Sequence, residues 1–304
     1  MPLTVGRLCD QSAVRRLHLD DVTFTYVVDG AMSMPPARFL PSVPASYWSD
    51  YADGLDAHGR IPMSAGGLLV ERDGYRLLID AGLGAVVADA ELGRSDSGDF
   101  LKTLTAIGLD PSDIDMLAFT HLHGDHTGWA FGADGAGGRP AVFPNATYLM
   151  SGAEWAAHTE EGDGAAADPY SIAEPVRQAG NLALIEEGAE IAPGVIALVT
   201  PGHSPGHTSY IVTSEAGNRL VAFGDTFHVP AQLAHTDWTS IPDAVPGQVP
   251  AARAKLLDEL RKPRTIGFGF HFGDQPFGRV VPDRGALCWQ PVPTSVLLPS
   301  PRTC

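Results

Sequence analysis

Cysteine is scarce: 304 residues hold only Cys9, Cys288 and Cys304. That is too few and too scattered for a disulfide framework or a thiolate metal site, and it suits a reducing cytoplasm. No run of about 18 apolar residues is present to span a membrane. The opening Met1-Pro2-Leu3-Thr4-Val5-Gly6-Arg7 lacks the apolar core of a secretory leader. Basic residues are also few, 20 Lys and Arg against 36 Asp and Glu, for a formal charge of −16. Such an excess of acid opposes binding to a phosphate backbone, so no nucleic-acid partner is expected and the charge reads as a source of solubility. With 44% hydrophobic residues there is ample material for a core.

What the chain does have is Thr120-His121-Leu122-His123-Gly124-Asp125-His126-Thr127-Gly128, directly after the apolar run Met116-Leu117-Ala118-Phe119. The run reads as a buried strand. Three imidazoles and a carboxylate crowded at its end point to a metal, because imidazole and carboxylate suit zinc, iron, manganese or cobalt. Residues two apart in extended backbone face the same way. His121 and His123 can therefore grip one ion while the chain turns at Gly124 and offers Asp125 and His126 to another.

Three later segments belong with it: Thr200-Pro201-Gly202-His203-Ser204-Pro205-Gly206-His207-Thr208, Phe223-Gly224-Asp225 and Gly269-Phe270-His271-Phe272. In this order the four segments resemble the metallo-β-lactamase fold superfamily, whose signature is His-x-His-x-Asp-His followed by a distant His, a bridging Asp and a last His. The resemblance covers about residues 64–290. It is nearest in motif to the branch of methyl parathion hydrolase and related esterases and lactonases. It implies an α/β fold, a four-layer αββα sandwich of two mixed sheets flanked by helices. It also implies two divalent ions, zinc first, with manganese, iron or cobalt as alternatives. One ion would take His121, His123 and His203, the other Asp125, His126 and His271, with Asp225 bridging them. Such a pair lowers the pKa of a shared water until hydroxide exists near neutral pH. That hydroxide would attack an ester, lactone or related acyl or phosphoryl bond of a small, partly apolar molecule, and no Ser or Cys nucleophile is required.

The resemblance extends to supporting residues. Asp80, at a strand end before Ala81-Gly82, matches an acid that orients metal-bound rings. His228 stands where homoserine-lactone-type lactonases carry a Tyr that touches the substrate oxygen. An imidazole there would act in catalysis on the oxyanion or the leaving group. His207 reads as a structural neighbour of His203, and His235 as a residue lining the pocket or backing a ligand. His18 and His58 read as exposed. Gly273-Asp274-Gln275 departs from the branch's apolar stretch, which suggests an altered pocket rim.

One domain is expected over residues 1–304, since the ligands run from His121 to His271. Residues 1–20 read as a peripheral arm, and Val22 to Gly30 as an edge strand. From about 31 to 61 the chain turns irregular but rich in Met and aromatic residues, which suggests an arm or flap against an apolar pocket, or a homodimer contact. Ser64–Glu71 and Tyr75–Asp80 read as a hairpin, and Asp99–Ile107 as a helix stopped by Gly108. Gly132–Gly138 reads as a surface turn, and Glu160–Asp168 as a polar loop. Strands follow at Leu182, Val195, Ser209 and Arg219. Pro250–Arg261 reads as a helix with Ala254, Leu257 and Leu260 inward. Arg253, Lys255, Arg261, Lys262 and Arg264, on and just past this helix, read as a solvated basic face. A short Pro-rich C-terminal tail reads as loosely held.

Three other functions fit the same scaffold. A glyoxalase-II-like thioesterase would want a basic patch for an anionic thiol carrier. An iron-dependent sulfur dioxygenase would need one iron and oxygen. A metal-binding protein without catalysis would keep the ligands and turn nothing over.

Overall fold

A computed structural model describes residues 2–133, 138–160 and 171–302. Two mixed sheets face each other. The first runs in the order Leu3–Thr4, Thr294–Leu298, Val14–Leu19, Val22–Met34, Ile61–Arg72, Tyr75–Ile79, Met116–Ala118, Thr147–Ser151 and Leu182–Ile185. A hairpin, Val87–Ala90 with Gly93–Ser97, hangs from its long strand Val22–Met34. The second sheet runs Glu190–Ala192, Val195–Val199, Thr208–Thr213, Arg219–Ala222, Thr265–Phe268, Phe277–Asp283 and Ala286–Pro291.

Side-chain alternation explains why the strands read as nearly continuous apolar runs. Leu68, Val70, Val212 and Leu220 point between the sheets, where they pack with Phe24, Tyr26, Tyr210 and Phe268. Their neighbours point outward: Leu69 meets Phe100 and Leu104 of the helix Phe100–Ala106. Ile211 and Val221 meet Leu256, Leu257 and Leu260 of the helix Val249–Leu260. Each sheet is thus covered on both faces, which requires hydrophobic residues at successive positions. The result is the αββα sandwich that the resemblance implied.

The hairpin Ile61–Arg72/Tyr75–Ile79 and the helix after Asp99 fall where expected. Other elements differ. Residues 1–20 are not a peripheral arm, because Leu3–Thr4 and Val14–Leu19 are sheet strands. Val22 onward is no edge strand: it runs to Met34, between Val14–Leu19 and Ile61–Arg72, and crosses the apparent turn at Asp29-Gly30 through a bulge. There Asp29, fully buried, accepts hydrogen bonds from the backbone N–H groups of Leu83, Gly84, Gly98 and Phe100 and from Trp129 Nε1. The C-terminal tail is not loose, since Thr294–Leu298 pairs with Val14–Leu19. Residues 31–61 contain the end of the long strand and the short helices Pro36–Phe39 and Ala45–Asp50.

On the helix Val249–Leu260, Ala252, Arg253, Leu256, Leu257 and Leu260 face inward and Ala254 is exposed. Arg253 is therefore not part of a solvated basic face. It is fully buried and donates to the carbonyls of Thr226, Thr236 and Trp238. Lys255 pairs with Glu187 and Lys262 with Glu259, while Arg261 and Arg264 are exposed. Most of the Gly132–Gly138 turn, the Glu160–Asp168 loop and Cys304 lie outside the described residues.

Phe268 sits at the centre of the inter-sheet core, with ring centroids 5.2 Å from Tyr26, 4.8 Å from Phe270 and 4.9 Å from Phe277. Phe268→Ala should cost about 3–5 kcal/mol of stability, read as a lower urea midpoint at unchanged slope. A loss below about 1 kcal/mol would show that the ring does not anchor the two sheets.

Candidate metal centre

The motif segments leave the sandwich at one end, each after the C-terminal end of a strand. Thr120–Gly128 follows Met116–Ala118, Thr200–His207 follows Val195–Val199, Asp225 follows Arg219–Ala222, and His271 follows Thr265–Phe268. Their side chains meet in two groups. In the first, His121 Nε2, His123 Nδ1 and His203 Nε2 stand 2.9 to 3.2 Å apart. In the second, His126 Nε2 and His271 Nε2 lie 3.5 and 3.6 Å from Asp125 Oδ2. Asp225 stands between. Its Oδ1 is 3.3 Å from His126 and 3.1 Å from His271, and its Oδ2 is 3.3 Å from His203 and 3.9 Å from His121. One carboxylate thus turns an oxygen to each group.

The outer ring nitrogens determine what the inner ones can do. His203 donates Nδ1–H to Asp243 Oδ1 at 2.9 Å, His126 to Asp80 Oδ2 at 2.8 Å, and His271 to the Ser64 carbonyl at 3.1 Å. Asp80 also accepts from Thr120 Oγ1 at 2.7 Å, which leaves that hydroxyl free to accept from His121 Nδ1 at 3.0 Å. With Nδ1 protonated, each of these rings presents an Nε2 lone pair inward. Lone pairs so close repel unless a cation lies among them. His126 Nε2 and Asp225 Oδ1 are buried without a hydrogen-bond partner, a costly state that ion coordination relieves. The all-nitrogen and oxygen donor set fits a pair of divalent ions such as zinc.

Proton affinities follow the same division. Burial, reinforced by the neighbouring imidazoles, pushes His121 well below its ordinary value, and burial carries His203 down to about 4. His126 and His271 are raised: burial opposes their charge, but Asp225 and Asp125 outweigh it. For Asp243 burial is likewise outweighed, chiefly by its hydrogen bond with His203, and its value falls to about 2.

His228 is buried 3.2 Å from Asp225 Oδ2, and both its ring nitrogens lack hydrogen-bond partners. His207 accepts the Asp225 backbone N–H on Nε2 at 3.0 Å and meets Thr200 Oγ1 with Nδ1 at 2.9 Å. It positions Asp225 with both ring nitrogens engaged. His235 stands apart from the cluster, stacked on Trp238 at 3.8 Å between ring centroids. His18 and His58 are exposed.

Two carboxylates here carry no clear sequence signal. Asp243 lies in the irregular stretch after Trp238, 40 residues from the His203 it holds. Glu154, in the first turn of a helix, accepts from Leu122 N, Ser204 Oγ and Gly206 N, and so clamps the first metal loop to the second. Gly202-His203-Ser204-Pro205-Gly206 has the spacing of a nucleophile elbow. Ser204, however, is buried and donates a hydrogen bond from its hydroxyl to Glu154 Oε2 at 2.6 Å. Asp274 does not alter the pocket rim as its sequence context suggested, because it is turned away to pair with Arg15.

Above the centre lies a cavity of about 400 Å³. It is lined by His123, Asp125, Asp225, His228 and His271 and by the apolar Met32, Met34, Phe39, Met63, Leu83 and Leu92. Leu92 comes from the hairpin Val87–Ser97, whose polar residues gave no strand signal.

The fold and the convergence of the His and Asp segments define a metal-binding scaffold, and the chain belongs to the metallo-beta-lactamase superfamily, which it matches over residues 67–267. It is similar to the N-acyl homoserine lactonase AiiA of Bacillus thuringiensis subsp. kurstaki, 32% identical over 130 residues, 42% of this chain and 44% of that protein. It is also similar to the N-acyl homoserine lactonase AttM of Agrobacterium fabrum, 28% identical over 158 residues, 50% of this chain and 54% of that one. The chain thus spans about half the length of these relatives. AidC, a dizinc quorum-quenching lactonase with the product N-hexanoyl-L-homoserine bound, superposes with a TM-score of 0.76 at 23% identity, covering 93% of this chain and 98% of that one. The hydrolase AbOPH does so with a TM-score of 0.76 at 24% identity, covering 92% and 98%. At those identities the likeness shows the shared fold.

Removing the acceptor behind His203 should weaken the metal it faces. We expect Asp243→Ala to lower metal affinity by about 10–100-fold, measured by competition with a chromophoric chelator. Unchanged affinity would mean that the Asp243 hydrogen bond does not orient the ring.

Proposed function

We propose that this chain is a dinuclear metal hydrolase that opens the ester bond of a small lactone bearing an apolar acyl group. The observation that carries the proposal is the juxtaposition of Asp225 and His228 with the Met and Phe wall in one cavity. The lactonases among its relatives support it. Two divalent ions, most simply zinc, would be held by His121, His123 and His203 and by Asp125, His126 and His271, with Asp225 shared. When bound they supply an activated water and a Lewis acid for the carbonyl.

The chain's own groups do the rest. Asp80, Asp243 and the Ser64 carbonyl fix the rings, so that the reacting atoms meet a preorganised centre. The wall of Met32, Met34, Phe39 and Met63 takes the acyl group, excludes water, and holds the ring ester over the centre. His228, with both nitrogens unengaged, is placed to hydrogen-bond the substrate oxygen in the role that a Tyr has in the resembling lactonases.

The thioesterase alternative loses part of its basic cluster, because Arg253 is buried and Lys255 and Lys262 are paired. The side chains of the motif segments gather in two groups, His121, His123 and His203 and Asp125, His126, Asp225 and His271, which favours two ions over the single iron of a dioxygenase. No helix among the described residues is long and apolar enough to cross a membrane. The free thiols of Cys9 and Cys288 support a reducing, cytoplasmic setting.

Zinc-loaded protein should hydrolyse N-acyl homoserine lactones faster than aryl esters, thioesters or phosphotriesters in a pH-stat screen. In His228→Ala, kcat/KM for the lactone should fall by about 10²-fold with both ions retained. No lactone turnover by protein carrying two ions would sink the proposal, and a parental rate in the variant would remove His228 from it.

A further inference from the structure

We infer that the N-terminal segment Gln11–Arg15 is the outer support of His271, and that it sets the affinity of one metal position selectively. The inference rests on the dinuclear reading above. His271 is held from two directions, and this segment grips both. Its Nδ1 donates to the Ser64 carbonyl, which also accepts from Tyr26 Oη at 3.0 Å. The Ser64 hydroxyl in turn accepts from Ser12 N at 2.8 Å and donates to Gln11 Oε1 at 3.2 Å.

The loop that carries His271 is tied down three residues later. Asp274 Oδ1 accepts from Ala13 N at 2.8 Å and from Arg15 Nε at 2.6 Å, while Oδ2 accepts from Arg15 Nη2 at 2.5 Å. The two side chains of this bidentate pair are 4% and 14% exposed. Gly273 has φ of +51°, and a Cβ there would lie 2.1 Å from the Leu8 carbonyl oxygen. The loop therefore fits with no slack against the stretch that leads into this segment. A buried, forked Arg–carboxylate pair fixes orientation as well as position. Among the described residues no comparable contact runs from this segment to His121, His123 or His203. Arg15 and Asp274 thus act as positioning residues for one of the two ion positions.

The test is a chelator-competition titration with zinc, followed alongside far-UV circular dichroism. The variants are Asp274→Asn and the pair Arg15→Met/Asp274→Leu, which leaves no unpaired buried charge. His271→Ala marks the affected step, and Glu259→Gln, which breaks the remote Arg219–Glu259 pair, controls for general loosening. The expected result is a drop of about 10–100-fold in the step that His271→Ala abolishes, with the other step unchanged and both unchanged in Glu259→Gln. Equal weakening of both steps, or of neither, overturns the inference while leaving the dinuclear reading intact. A single binding step in the unaltered protein overturns that reading, and the inference falls with it.

Discussion

Ring nitrogens of His121, His123 and His203 brought to 2.9 to 3.2 Å of one another are held there against their own lone-pair repulsion. The molecule meets this constraint by giving four of the rings an outer acceptor: Asp243 behind His203, Asp80 behind His126, the Ser64 carbonyl behind His271, and Thr120 behind His121. The acceptors come from strand ends and loops that the sandwich brings to one edge. The site is therefore anchored on the sheets beneath it, and its inner nitrogens are arranged before any cation would arrive.

Much of this was legible in the sequence, and for a physical reason. A metal ligand set needs particular atoms in a particular order, so His121, His123, Asp125 and His126 announce themselves within six positions. The later His203 and Asp225 each follow an apolar run that reads as a strand, while His271 is recognised by its place in the order of the motif segments. Where the acids that support them lie is another matter. Asp243 and Asp29 meet their partners through tertiary packing across long separations, and nothing local in a carboxylate's neighbours foretells such a bond. Glu154 reads as an ordinary residue of a helix's first turn. Polar residues hide the hairpin Val87–Ser97, and glycines hide Thr265–Phe268. The first twenty residues carry mixed charge and read as peripheral, yet their Arg15 is buried with Asp274.

The helix Val249–Leu260 shows the same limit from another side. Its amphipathic period was visible, but the inward stripe lies one position away from Ala254 and takes in Arg253. A guanidinium tolerates that interior because three backbone carbonyls receive it. Those carbonyls belong to the segment that passes His228 and ends near Asp243, so a residue that resembled surface charge is part of the frame of the cavity.

The choice of atoms around the cavity also decides how it would age under oxidative stress. The metal groups consist of His and Asp side chains, with no sulfur for peroxide to attack. The apolar wall is built on Met32, Met34 and Met63, thioethers that convert to polar sulfoxides. Hydrogen peroxide would accordingly spoil the grip on an apolar acyl chain long before it dislodged an ion, and methionine sulfoxide reductase would restore it.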